Sequence, residues 1–183
     1  MPNTYALHQA LFSFSGDAWI EDDAGNRVFE VDGKAFTIGR TLDLLDHNGT
    51  RLYTLHQRVL SFRPTFEISR DGAVVATLQK ALLAFLGDRF TITLADGSEL
   101  EGKGNFLDHE FTISRGDAVV ATASRAWFSM HDTYGVQVAD DFDDPLALAI
   151  VIAIEQLESE EDRANRPDPF PNAGGLPGSG PFG

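Results

Sequence analysis

A hairpin-sized unit recurs along most of this chain. Residues 66–77 return 45 residues later as residues 111–122, with FEISR and then AVVAT in the first copy and FTISR and then AVVAT in the second. A two-residue turn signal divides each copy, Asp71-Gly72 in one and Gly116-Asp117 in the other. Such residues accept the positive φ angles that tight hairpin turns require. Both copies are therefore predicted to be β-hairpins.

The repeat is finer than 45 residues and extends over more of the chain. Similar turn signals lie at Ala24-Gly25, Asn48-Gly49 and Asp96-Gly97, so five consecutive hairpins are expected. One strand before them and one after them give twelve. An even number lets the last strand pair antiparallel with the first, which removes exposed sheet edges. The predicted fold class is mainly β, a twelve-stranded closed antiparallel barrel. A large apolar residue opens each first strand, 21 to 24 residues apart: Trp19, Leu42, Phe66, Phe90, Phe111 and Tyr134.

The interior of such a barrel is predicted to hold a helix. Strands such as Phe-Thr-Ile-Thr-Leu at 90–94 alternate, which gives one buried face, and a barrel of twelve strands leaves a lumen wider than side chains alone fill. Residues 146–154 are apolar on every side and follow the capping acids Asp143 and Asp144. We expect one helix at about 144–160, solvated acids at 155–162, a single domain at 1–162 and a disordered Pro/Gly-rich tail at 163–183.

Composition excludes several classes of function. The chain has no cysteine, so it has neither a disulfide framework nor a thiolate nucleophile, which fits a cytoplasmic protein. Its longest apolar run has nine residues, fewer than the ~20 that a membrane-spanning helix needs. The net charge of −14 argues against nucleic acid and anionic membranes as partners, since both need a cationic surface. Residues 1–139 carry 12 basic and 18 acidic side chains, so the barrel is only mildly acidic and can still present a basic patch.

Several segments also resemble a known family, and they fall at corresponding places in the repeat. They are Gln9 with Leu11-Phe12-Ser13, residues 31–36, residues 106–111, Trp127-Phe128-Ser129 and residues 132–136. These phrases are similar to the bacterial branch of the LURP-one-related family, which shares its fold with Tubby C-terminal domains and phospholipid scramblases. The resemblance runs from about Tyr5 to about Glu158. It implies a Tubby-like barrel around a central helix, and no settled activity: Tubby domains bind phosphoinositide head groups, scramblases act on lipids with calcium, and plant relatives are associated with defence.

One basic position recurs in the repeat and forms the candidate ligand-binding site. Equivalent positions of an up-and-down barrel lie at the same end, so these side chains are predicted to form a ring or arc near one rim. Several cations that converge on one anion are typical of phosphate and phosphoinositide sites. Alternatively, each cation pairs with a nearby carboxylate such as Asp32 or Glu101, or only solvates the surface. The position holds Lys34, Arg58, Lys80, Lys103 and Arg125, and Ala10 in the sixth copy.

No metal, cofactor or catalytic residue is predicted. The acids at 140–144 lack the spacing of a calcium loop and suit a helix N-terminus. His8 and His56 occupy equivalent repeat positions, and a structural role is favoured over a zinc site because no third ligand is in view. His109 and His131 each neighbour an aspartate at a strand start, which favours turn hydrogen bonding. No nucleophile elbow, phosphate-binding glycine loop or metalloprotease helix occurs.

Three functions remain open on the sequence alone. The leading hypothesis is a non-catalytic cytoplasmic binding or scaffold module that takes a phosphorylated or lipid head-group ligand at the basic rim. The second is a protein-interaction module that acts through the acidic helix end and the Pro-rich tail, which contains Pro167-Asp168-Pro169-Phe170-Pro171. The third is an enzyme of an unrecognised kind, which would need a polar cleft containing a group with a shifted pKa. Because the helix occupies the lumen, each hypothesis moves the functional site to the surface.

Overall fold

Twelve antiparallel strands form a closed barrel in the computed structural model, which describes residues 1–8, 18–34, 38–81, 89–127 and 133–165, with side chains as far as 160. Each strand pairs with its neighbours in sequence, and β1 closes the barrel on β12 from Asn3 opposite Val138 to His8 opposite Thr133. The predicted fold class is confirmed. The strands are β1 (Asn3–His8), β2 (Ala18–Asp22), β3 (Arg27–Lys34), β4 (Thr41–Asp46), β5 (Arg51–Gln57), β6 (Thr65–Arg70), β7 (Ala73–Lys80), β8 (Arg89–Leu94), β9 (Glu99–Asn105), β10 (Glu110–Arg115), β11 (Ala118–Ser124) and β12 (Thr133–Val138).

The hairpin turns are fixed by local chemistry. In the β4–β5 turn, Oδ1 of Asp46 accepts the backbone N–H groups of Asn48 and Thr50 at 2.9 and 2.8 Å, and Gly49 adopts a φ of 79°. Asp22 repeats this arrangement in the β2–β3 turn. The pKa of Asp22 is held below its usual range first by hydrogen bonds from the side chain and backbone of Asn26, and the pKa of Asp46 by the backbone N–H of Thr50, because these bonds favour the ionised carboxylate. The turn signals read from the sequence therefore mark the observed hairpins.

The α-helix α1 (Asp144–Asn165) runs through the barrel. Residues 147–154 are each at most 1% exposed, as expected for a helix that is apolar on every side. Oδ1 of Asp143 accepts the N–H of Leu146 at 2.8 Å, which confirms the predicted capping role. The helix continues three residues past the predicted domain boundary at 162. The rest of the predicted tail, residues 166–183, lies outside the described part of the chain.

Two tyrosines anchor the start of α1 to the barrel wall. Tyr53 in β5 donates a hydrogen bond to Asp143 at 3.0 Å, and Tyr5 in β1 donates one to Asp144 at 2.7 Å. Burial and the neighbouring carboxylate favour the neutral phenol and raise the pKa of Tyr53 to about 12. The helix thus enters at the barrel end where β1 and β5 begin.

The two barrel ends differ in their connections. The turn end carries the tight hairpin turns and the start of α1, whereas the exit rim is the opposite end, where β3, β5, β7, β9 and β11 finish and the helix emerges. Within the described ranges, none of the helical structure is long and apolar enough to cross a membrane.

Candidate functional site

All five repeated cations lie at the exit rim. Lys34 and Lys80 are the last residues of β3 and β7, Arg58 and Arg125 directly follow β5 and β11, and Lys103 is two residues before the end of β9. Because alternate strands of an up-and-down barrel run the same way, the ends of these five strands share one end of the barrel. The repeat spacing therefore brings the cations to one rim but not to equivalent positions on their strands.

Three of the cations pair with carboxylates on the outer wall. The ammonium of Lys103 lies 2.6 Å from Glu101, and the guanidinium of Arg58 lies 3.2 Å from Glu67 of the adjacent strand. Both cationic side chains are about half exposed, at 53% and 56%. Exposed pairs of this kind contribute about 0–1 kcal/mol, so either cation can turn to another anion at little cost.

Lys34 is held more firmly than the other two outer cations. Its ammonium lies 2.5 Å from Oδ2 of Asp43, a carboxylate whose side chain is only 6% exposed. Thr54 donates a further hydrogen bond of 2.6 Å to the same aspartate. The partner is thus Asp43 of β4 rather than Asp32, the neighbour that the sequence suggested.

Lys80 faces the helix instead of solvent. Residues Ala76 and Leu78 of β7 are buried, and Lys80 continues the same inward alternation. Its ammonium lies 2.8 Å from Oε1 of Glu158 on α1, and the two side chains are 11% and 7% exposed. The pair joins the barrel wall to the last buried turn of the helix.

Arg125 joins the rim at the start of a single 3-10 turn, Arg125–Trp127. Its backbone N–H donates to Oε1 of Glu110 at 2.8 Å, and the hydroxyl of Ser124 donates to the same oxygen at 2.9 Å. The positive charge of Arg125 also lowers the pKa of Glu155 on α1, although burial of that carboxyl has the larger, opposite effect.

The repeated cations point to different sides of the barrel wall because a shift of one residue along a strand reverses the direction of a side chain. Lys103 follows the buried Gly102 and faces outward with Glu101, whereas Lys80 keeps the register of the buried Leu78. β-bulges in four hairpins also shift the strand register by one residue. The recurring position of the sequence therefore holds both outer-wall and inward-facing cations.

A buried polar layer at the exit rim was not predicted. Nδ1 of His109 lies 2.6 Å from Oε1 of Glu155, and the imidazole stacks on the ring of Tyr134 with centroids 4.4 Å apart. Burial raises the pKa of Glu155, and the hydrogen bond and charge of His109 act in the opposite direction. Burial, followed by the charge of Glu155, raises the pKa of Tyr134. The layer is a closed, coupled cluster rather than an open cleft.

The β9–β10 turn positions His109 in this layer. Its backbone adopts a φ of 54°, and its N–H donates to the carbonyl of Phe106 at 3.1 Å. The side chain of Asn105 accepts the N–H of Asp108 at 3.1 Å. Turn hydrogen bonding thus accounts for Asp108, as expected, but the imidazole of His109 bonds to the helix instead.

The acids that end α1 are not all solvated, which corrects the expectation for residues 155–162. Glu155, Gln156 and Glu158 are 4%, 0% and 6% exposed. The barrel wall is taller than the apolar run of the helix, so one further turn stays inside. The rim supplies the partners that charged groups need there. Gln57 also donates a hydrogen bond to Glu160, two residues after Glu158.

The equivalent histidines His8 and His56 each contact a threonine hydroxyl of a neighbouring strand. Nδ1 of His56 lies 2.9 Å from the hydroxyl of Thr41 on β4, and Nδ1 of His8 lies 3.1 Å from that of Thr133 on β12. Each pair joins neighbouring strands at the exit rim. His131 lies outside the described residues.

A separate cleft of about 360 Å³ lies against β2 and β3, away from the repeated cations. It is lined by Trp19, Arg27, Phe29, Glu30 and His47. The guanidinium of Arg27 already covers the indole of Trp19 at 3.5 Å from the ring centroid, so the aromatic face is occupied by the protein itself.

This geometry defines a class of protein, a closed barrel wrapped around one C-terminal helix. The same fold occurs in an X-ray structure of a protein from Arabidopsis thaliana, which matches with a TM-score of 0.63 at 21% identity over 90% of this chain and 92% of that chain. The family follows from sequence. The model of the LURP-one-related family matches residues 3–155, so the chain belongs to this family, as the resemblance predicted.

Two relatives show how far the sequence similarity extends along the chain. The YxjI protein of Bacillus subtilis is 30% identical over 159 residues, which are 86% of this chain and 96% of that protein. LURP-one-related 15 of Arabidopsis thaliana is 24% identical over 181 residues, 89% of this chain and 83% of that protein. The match therefore spans most of the chain in both cases.

Proposed function

We propose that this protein is a non-catalytic, cytoplasmic binding or scaffold module that takes a phosphorylated or lipid head-group anion at the exit rim. The observation that carries the proposal is the position of Lys34, Arg58, Lys80, Lys103 and Arg125 at the ends of five alternate strands. Neighbouring strands lie about 4.8 Å apart, so cations on alternate strands are roughly 10 Å apart, and each contacts a different phosphate of a ligand or surface that carries several.

The five cations have different roles in this proposal. Arg58 and Lys103 are half exposed and only weakly held by Glu67 and Glu101, so they are the groups that exchange a carboxylate for a phosphate. Lys80 is tied to the helix through Glu158 and stabilises the fold beneath the site. The ligand therefore contacts the outer cations, and the inner one fixes the helix.

The test compares two matched double variants. Arg58→Ala with Lys103→Ala removes two charges from the exit rim, and Arg70→Ala with Arg115→Ala removes two from the turn end, where β6 and β10 finish. We expect the rim variant to bind inositol hexakisphosphate at least about ten-fold more weakly in titration calorimetry, and the control within about two-fold of the parent protein. Binding should weaken as salt rises.

Two results would overturn this proposal. The intact protein would show no binding to inositol phosphates or to phosphoinositide vesicles, or the two double variants would lose affinity equally. The second result would indicate attraction by overall charge without a site.

The other two hypotheses gain no specific support. Glu155, Glu158 and Glu160 bond to His109, Lys80 and Gln57 within the barrel. These acids therefore stabilise the fold, and a protein partner would have to compete for them. In the described part of the chain, the pKa is raised at Tyr5, Tyr53, Tyr134 and Glu155, and none of these side chains lines the cleft beside Trp19. An enzyme would need such a group in an open cleft.

A further inference from the structure

Large apolar side chains are exposed at the exit rim. They lie in four separate connections that leave this end of the barrel. At the turn end, the tight turns consist mainly of Asp, Asn, Gly and Thr. Among the described residues, the large exposed apolar side chains there are Met1 at the chain start, at 103%, and the strand residues Val74 and Val119, at 45% and 54%. The apolar residues of the exit rim, with their exposed fractions, are Ile38 (88%), Val59 (56%), Leu60 (99%), Phe62 (104%), Leu107 (58%) and Trp127 (42%).

The β5–β6 connection presents two of these side chains completely. Its ends are tied together, because the N–H of Arg58 donates to the carbonyl of Thr65 at 3.0 Å. The hydroxyl of Ser61 lies 3.1 Å from the carbonyl oxygen of Arg58 and 2.5 Å from that of Arg63. This hydroxyl holds the loop in one shape, with Leu60 and Phe62 on either side of it in sequence. Fully exposed Leu and Phe in a hydrogen-bonded loop indicate a surface that is covered in use.

We propose that the exit rim docks on the surface of an anionic lipid bilayer. Leu60 and Phe62 enter the boundary between head groups and acyl chains, while Arg58 and Arg63 on either side remain at the level of the phosphates. This is the arrangement by which peripheral proteins combine apolar burial with attraction to anionic lipid. The proposal rests on the proposed head-group site and specifies that its ligand belongs to a membrane.

A bilayer fits these side chains better than a protein partner does. They come from separate connections and stand exposed, whereas a protein would have to match each of them with a pocket in a rigid surface. A fluid bilayer accepts scattered apolar side chains without shape complementarity, and it offers phosphates to the flanking arginines. The exposed apolar area and the nearby cations therefore point to the same partner.

The acidic composition does not prevent this contact. Glu155 and Glu158 are buried in the barrel, where they bond to His109 and Lys80. The more exposed acids of the exit rim each bond to a neighbouring side chain: Glu67 to Arg58, Glu101 to Lys103, Asp108 to Asn105 and Glu160 to Gln57. The acids of the turn end lie on the far side of the barrel, and charges separated by more than about 8 Å in water are screened at physiological salt. The charges nearest Leu60 and Phe62 in sequence are those of two arginines.

The experiment measures sedimentation of the full-length protein with vesicles of phosphatidylcholine alone and of phosphatidylcholine with phosphatidylserine. Leu60→Ser with Phe62→Ser is compared with Val74→Ser and Val119→Ser, an equal change at the turn end. All four side chains are exposed, so neither variant should unfold. We expect the loop variant to partition at least about ten-fold more weakly onto anionic vesicles, the control to stay within about two-fold, and inositol hexakisphosphate binding to persist in both.

A fluorescent label gives an independent measurement. Because the chain has no cysteine, Leu60→Cys and Val74→Cys each provide one site for an environment-sensitive dye. We expect the dye at position 60, but not at position 74, to shift its emission to the blue when anionic vesicles are added. Equal shifts at both positions, or no shift while the protein sediments, would overturn the proposed orientation.

The outcomes separate this inference from the proposed function. If the loop variant sediments like the parent protein, membrane docking through the loop is wrong. The head-group site is then judged only by the calorimetric titration with inositol hexakisphosphate. If the parent protein sediments with anionic vesicles, the loop variant does not, and neither binds inositol phosphate, the docking surface stands and the head-group site is wrong. Equal sedimentation with neutral and anionic vesicles refutes the attraction to anionic lipid. Failure to sediment with any vesicle refutes docking.

Discussion

Substitution of Lys80 by methionine tests how the end of the helix is held. Methionine keeps most of the volume of the side chain, whose ammonium lies 5.8 Å from the centroid of the Phe90 ring, but it removes the charge that faces Glu158. The two side chains are only 11% and 7% exposed, so the carboxylate of Glu158 stays in the barrel after this ammonium has been removed. Removal of one member of such a buried pair costs about 3–5 kcal/mol.

The loss should be visible in both chemical and thermal unfolding. For a domain of this size, each kcal/mol corresponds to about 2–4 °C in Tm, so we expect Lys80→Met to lower Tm by about 6–20 °C. Urea unfolding followed by circular dichroism gives the free energy of unfolding at 25 °C.

Two further variants make the result specific to burial. Lys103→Met removes a cation from the exposed pair with Glu101 and should cost no more than about 1 kcal/mol. Lys80→Met combined with Glu158→Met removes both buried charges and should recover most of the stability. The reasoning is refuted if Lys80→Met costs no more than Lys103→Met, or if the double variant is less stable than Lys80→Met alone.

Glu155→Gln should alter the pH dependence of stability. Burial raises the pKa of this carboxyl in the folded state, so its contribution to the free energy of unfolding declines as pH rises through that raised pKa. The variant should lose this decline when urea unfolding is measured as a function of pH. An unchanged profile would show that His109 fully compensates for burial. Gly104→Ala should destabilise strongly, because Gly104 has a φ of 142° and a Cβ there would lie 2.6 Å from the Cα of Phe111. Gly33→Ala, whose Cβ would meet only ordinary contacts, is the control, and equal Tm values for the two would contradict this account.

Most of the barrel was predictable because its determinants are local. Asp and Gly at each hairpin turn set the backbone conformation within four or five residues, and alternation of apolar residues sets which face of a strand is buried. The helix was predictable for the same reason, since an acid at its N-cap and nine consecutive apolar residues define both its start and its burial. Sequence similarity then identified the family independently of these patterns.

The candidate site was predictable only in part. Strand direction follows from the repeat, so the sequence alone assigned Lys34, Arg58, Lys80, Lys103 and Arg125 to one end of the barrel. Whether each cation faces outward or inward depends on a single residue of register, which bulges and strand ends decide.

The polar layer around α1 was decided by tertiary structure alone. Glu155 and His109 are 46 residues apart, and Lys80 and Glu158 are 78 apart. In the sequence, Glu155 and Glu158 look like the first solvated residues after an apolar run. They are buried because the barrel wall extends past the end of that run, and they stay charged or hydrogen-bonded because His109 and Lys80 are there to meet them. The pairing of these distant charges depends on the height of the barrel wall and on how far the helix extends inside it. No local sequence pattern encodes the barrel height or the position of the helix.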